Sequence, residues 1–184
     1  MIIKLISLIP IINVCLCLGL GVFTLSRNPK HVSNIAFLFG MLSLAILNAG
    51  DATLFFAGDS YNSAILGTQI SIVGQSLLLP SLLLFSVVFA RAEHRSVLIR
   101  WLPILLITAL ASITFIYFLV TDKFVTDFLF SLTENHRDTS YRENAILVSG
   151  SVGYCFYIYF IVATILSLAN LESTFRSSKG LKRL

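Results

Sequence analysis

The chain has 184 residues, of which 57% are hydrophobic and only 12% charged, with a formal net charge of +4. A soluble domain carries about 25% charged residues, so this composition, with its mean hydropathy of +0.89, excludes a water-soluble globular fold. The basic excess is distributed as a membrane topology signal rather than as a nucleic-acid patch.

Five apolar runs follow one another at about 2–25, 32–57, 63–90, 101–121 and 144–171. About 20 apolar residues cross the hydrocarbon core. In lipid only helices and closed barrels satisfy their backbone, and the continuous runs lack the alternation of a barrel. The expected fold is therefore all-α: a polytopic bundle of five transmembrane helices forming one membrane domain over 1–184. Arg27 and Lys30 lie in the first loop, Arg91, Arg95 and Arg100 in the third, and Arg176, Lys179, Lys182 and Arg183 in the tail at 172–184. The second loop holds Asp59 and no base, and the fourth, at 122–143, is rich in acids. The positive-inside rule puts the basic loops and C-terminus in the cytoplasm and the N-terminus outside. Membrane lipid is then a partner, and nucleic acid is not.

The first run starts at Lys4 but continues too far, with no small-residue cleavage site, to read as a cleaved signal peptide. Ser26-Arg27-Asn28-Pro29 stops it, and Ser33 or Asn34 is expected to cap the second helix. Asn13 reads as interhelical glue. The second run contains Asp51, the only acid inside an apolar run, with Asn48 one turn earlier. An acid in a membrane helix faces the bundle or water and marks a site by default. Two readings stand: a ligand- or proton-sensing group near the outer leaflet, or a carboxylate close enough to the surface to reach water.

The third run carries Gln69 and Gln75 with Ser71 and Ser76, either as interhelical glue or as part of a polar pocket with Asn48 and Asp51. Pro80 removes the hydrogen bond to the carbonyl of Ser76, so a kink is expected, serving packing or acting as a hinge. Trp101 and Pro103 suit the first turn of the fourth helix. Phe124, Phe128 and Leu132 in the long loop are spaced for a short amphipathic surface helix. In the fifth run Ser149, Gly150 and Gly153 form a small face, and Tyr154, Tyr157 and Tyr159 read as packing or anchoring groups.

Cys15, Cys17 and Cys155 are scattered among apolar residues, and His31, His94 and His136 fall in different loops, so no metal site or disulfide framework is expected. No Gly-rich phosphate loop, H-E-x-x-H or G-x-S-x-G is present. No catalytic residue, cofactor or enzyme activity is expected of this chain.

Leu25-Ser26-Arg27-Asn28-Pro29-Lys30, then Asn34-Ile35-Ala36-Phe37, and the late segment Asn170-Leu171-Glu172-Ser173-Thr174-Phe175-Arg176-Ser177-Ser178 are seen together. This combination resembles the N-terminal membrane region of sensor histidine kinases of the PEP-CTERM/exosortase system (PrsK type). It is also similar to the wider class of kinases with a seven-helix membrane sensor. The resemblance implies a two-component sensor in a bacterial inner membrane that regulates exopolysaccharide and protein-sorting genes. It further implies a homodimer, downstream kinase domains and a response regulator. The sequence stops at Leu184, where that family continues, and lacks the phosphoacceptor histidine and ATP-binding motifs. On this reading Asn48, Asp51, Gln69 and Gln75 are sensing residues, and Pro80 is a hinge. Glu172, Arg176 and Lys179 form a cytoplasmic connector. The alternative is a small transporter or an accessory scaffold subunit, against which the lack of an internal repeat weighs.

Overall fold

The computed structural model describes residues 8–56, 61–89, 94–120 and 151–180. The described residues form five helices, α1 (Leu8–Arg27), α2 (Val32–Phe56), α3 (Tyr61–Val88), α4 (His94–Val120) and α5 (Ser151–Gly180). All five are long and apolar enough to cross a membrane. The amphipathic helix expected around Phe124–Leu132 and the tail beyond Gly180 lie outside the described residues.

Contacts fix an up-and-down arrangement. Asn13 meets Asn48, and Gly21 lies under Leu38 and Met41, so α1 and α2 are antiparallel. Gly50 and Gly74 of the α2–α3 pair meet Ser71 and Leu47, again antiparallel. Ser86 with Asn170 and Phe89 with Phe175 make α3 and α5 parallel. Phe115 packs on Phe156, while Thr108 and Ser112 meet Tyr159, which sets α4 antiparallel to α5. Arg27, Arg100 and Arg176 consequently fall towards one end of the bundle, called here the basic end.

α3 is the hub. Half of its membrane window is buried, against 17–22% for each of the other helices, and it packs on α2, α4 and α5. Two stripes of its sequence explain this. Ile65, Gln69, Ile72, Ser76, Leu79, Leu83 and Ser86 recur at alternating steps of four and three and mark one face, along which Ile72 clusters with Leu119 and Phe156. Gly67, Ser71, Gly74 and Leu78 follow the same rhythm on another face, against α2. Small residues there let two backbones approach, as lipid supplies no hydrophobic drive between helices and close packing must hold them. A Cβ on Gly50 would collide with the backbone nitrogen of Ser71, and one on Gly74 with that of Leu47.

Three boundaries differ from those expected. α2 starts at Val32, so Ser33 and Asn34 lie inside its first turn rather than at its cap. The His31 carbonyl instead accepts from Ile35 N–H at 3.3 Å. Asn34 turns back to α1, donating to the carbonyl of Thr24 (3.2 Å) in its last turn and to that of Asn28 (3.0 Å) just past its end. α4 starts at His94, ahead of the long apolar run, which places Pro103 inside the helix rather than in its first turn. α5 extends past the expected membrane boundary to Gly180, so Glu172, Arg176 and Lys179 lie on an unbroken continuation of the membrane helix.

Candidate functional site: polar contacts across the α2–α3 seam

Near the end of the bundle opposite the basic end, Asp51 of α2 faces Ser71 of α3. The Ser71 hydroxyl lies 2.5 Å from Asp51 Oδ1 and 3.1 Å from the Leu47 carbonyl. It carries one proton and donates to one of these acceptors at a time. The contact exists because Gly50, the neighbour of Asp51, brings the two backbones together. Ser71 is buried, and Asp51 is half-buried within a membrane-spanning helix.

One turn along α2, Asn48 Oδ1 accepts from Asn13 Nδ2 of α1 at 3.3 Å, while Asn48 Nδ2 donates to the Leu44 carbonyl at 2.8 Å. Asn13, Asn48, Asp51 and Ser71 thus link α1, α2 and α3 in one polar belt. Thr53 adds hydroxyl contacts to the carbonyls of Ala49 (2.7 Å) and Gly50 (2.9 Å). A carboxylate inside a membrane-spanning helix is costly to keep, and here it is met by a hydroxyl from the neighbouring helix.

The two glutamines separate. Gln75 lies one turn beyond Ser71, on the stripe towards α2, whereas Gln69 shares the stripe of Ile65 and Ile72 towards α4 and α5. Neither makes a side-chain hydrogen bond to the described residues, and both are half-buried.

Pro80 sits within an α3 that continues to Val88. It has no N–H for the carbonyl of Ser76. The Ser76 hydroxyl is fully buried and has no hydrogen-bond partner among the described residues. A missing ladder donor and a buried hydroxyl thus fall in one turn of α3, where a helix is weakest.

Two further polar contacts join other helix pairs. Tyr159 of α5 donates its hydroxyl proton to the Thr108 carbonyl of α4 at 2.7 Å, which leaves the Ser112 hydroxyl, 2.9 Å away, as donor to Tyr159. Tyr159 is therefore an anchor between helices, whereas Tyr154 is largely exposed. At the basic end, Asn170 Nδ2 donates to Ser86 Oγ at 3.1 Å, and Ser86 donates to the Leu83 carbonyl. Asn170 and Ser86 were not legible as a pair. The available signal was the heptad recurrence of Ser167, Asn170 and Thr174 on α5 opposite that of Ser76 and Ser86 on α3. Glu172 accepts from Arg176 Nε at 3.0 Å on the exposed side of α5. The side chain of Lys179 lies outside the described residues.

No curated protein and no solved structure matches the chain. A family model described as the N-terminal 7TM region of histidine kinase matches residues 9–184. With nearly the whole chain covered, and with five apolar helices joined by buried polar contacts, the chain belongs to this family of multi-pass sensor regions of two-component histidine kinases.

Proposed function

We propose that this membrane module senses an envelope or membrane-dissolved signal through the polar belt centred on Asp51. The observation that carries the proposal is the Asp51–Ser71 contact across a glycine seam. An ionisable group inside a membrane helix is retained at a cost, and it marks a functional site by default. Asn48 holds the adjacent turn to α1, and Gln75 lies one turn from Ser71, within reach of a ligand entering the seam. Gln69 serves the other face of α3, towards α4 and α5.

The basic end faces the cytoplasm of a bacterial inner-membrane protein, because Arg27, Lys30, Arg100 and Arg176 gather there. The continuous α5 carries the output, with Glu172, Arg176 and Lys179 as connector, towards kinase domains, a response regulator and a second copy of the chain. The motifs around Arg27-Asn28-Pro29 and Asn170–Ser178 support a kinase of the PEP-CTERM/exosortase type, with exopolysaccharide regulation as output.

The test joins a histidine-kinase core in helical register after Gly180 and follows phosphorylation of its response regulator. Asp51→Asn is expected to leave output at one level under conditions that modulate the parent, and Gln75→Leu to weaken the response. Parent-like modulation in both variants would remove the site.

A further inference from the structure

α5 is attached to the bundle along one stripe. Phe156, Ala163, Ser167, Asn170 and Thr174 are buried, while Tyr154, Ile158, Ile161, Ile165 and Leu168 are all more than half exposed. The buried stripe faces mainly α3. α3 is also the helix that meets Asp51, through Ser71. The two contacts lie on different faces of α3, 15 residues apart, or about 22 Å at 1.5 Å per residue. α3 is thus the helix that touches both the Asp51 contact and the exit helix.

The contact between α3 and the last turns of α5 has two parts. Asn170 is 7% exposed and Ser86 fully buried, and the amide donates to the hydroxyl at 3.1 Å. Separating them in an apolar interior would leave an amide and a hydroxyl without each other, so this pair favours a closed state over partial ones. One turn further, the ring of Phe175 meets Phe89 at 5.7 Å between centroids. Phe89 meets Phe85 at 4.9 Å, and Phe85 meets Phe37 of α2 at 5.8 Å. The ring series joins α2, α3 and α5 at the end where α5 leaves the bundle. Both parts follow Pro80 along α3, where the helical ladder lacks one donor and the buried Ser76 hydroxyl has no partner among the described residues. Pro80 therefore marks the turn at which the segment from Ser81 to Phe89 is most weakly tied to the rest of α3.

We propose that Ser86–Asn170 and Phe89–Phe175 form a latch through which the post-proline end of α3 sets the position of the α5 rod. The latch deepens the sensing proposal, and it rests on that reading for its input alone.

The experiment uses the chain in lipid nanodiscs, with Cys15, Cys17 and Cys155 replaced by alanine. Spin labels go on Ser26→Cys and Ser173→Cys, both at exposed positions, and the label-to-label distance distribution is measured. Asn170→Leu and Phe175→Leu are each expected to shift the modal distance by about 2–5 Å, the range of helix translations and one-turn ratchets in known switches. Leu168→Ala, on the exposed face of the same helix, is expected to leave it unchanged. Phe175 is half exposed, so its replacement preserves the buried core and keeps the test valid if Asn170→Leu fails to fold. Parent distances with Phe175→Leu, or with Asn170→Leu in a folded protein, would overturn the latch. Asp51→Asn in the same labelled protein separates the two readings. A shift there supports latch and input together. No shift there, with shifts in both latch variants, keeps the latch and removes Asp51 as its input.

Discussion

At the residue scale, Gly50 decides whether Asp51 can meet Ser71. Any Cβ at position 50 would collide with the α3 backbone. Gly50→Val is expected to destabilise the bundle by about 1–3 kcal/mol, the usual cost of overpacking, and to lower the midpoint of unfolding in a denaturing-detergent titration. Tyr159→Phe is the counterpart for a polar contact. It removes the proton given to Thr108 and the acceptor for Ser112. Hydrogen bonds between membrane helices average about 0.6 kcal/mol and reach about 1.7, so Tyr159→Phe should cost less than Gly50→Val in the same titration. A reversed order would show that the glycine seam is not a main support of the bundle. Asp51 was legible as a site candidate because acids are rare in membrane runs. Its partner was not, since Ser71 is one of many serines and only the packing of α2 on α3 selects it.

Between residues and bundle lie the helices and their punctuation. Pro80 was legible as a residue inside the third helix, but the burial of the Ser76 hydroxyl beside it, with no hydrogen-bond partner among the described residues, came only with the tertiary structure. Pro80→Ala restores an N–H to the ladder, and is expected to slow amide exchange over residues 77–84 relative to the parent. Equal exchange rates would remove the hinge. Asn34 illustrates the opposite outcome, a residue placed correctly at a helix junction but assigned to the wrong helix. Its side chain satisfies the carbonyls at the end of α1. Asn34→Ala should cost about 1 kcal/mol, the scale of a lost cap, and loosen the α1–α2 turn, as seen by faster exchange at His31–Ile35. α4 began earlier than expected because His94, Arg95 and Arg100 are polar enough to read as loop, yet a helix end can project into water. The same reasoning extends α5 through Glu172 and Arg176, whose pairing at one-turn spacing supports the exposed turn.

For the whole molecule, the contacts place α1, α3 and α5 parallel to one another and α2 and α4 opposed. This gathers Arg27, Arg100 and Arg176 at one end. The proposed cytoplasmic placement of the basic end has a direct test. A membrane-impermeant maleimide should label Ser173→Cys in inverted vesicles and spare it in intact cells. Labelling of intact cells would reverse the assignment. The family match runs from residue 9 to 184, and the described residues within it hold five long apolar helices.

The sequence by itself determined the membrane class, the five long apolar helices and the acid within the second of them, each of which depends on local composition and on spacing along one chain. Its motifs carried the resemblance to the seven-helix sensor regions of histidine kinases. The tertiary structure decided that α3 is the hub, that Gly50 and Gly74 make the seam, that Ser71 rather than a glutamine meets Asp51, and that Asn170 reaches Ser86. In lipid, an apolar face looks the same whether it meets acyl chains or another helix. Hydropathy cannot tell these apart, and only packing shows which small and polar residues face each other.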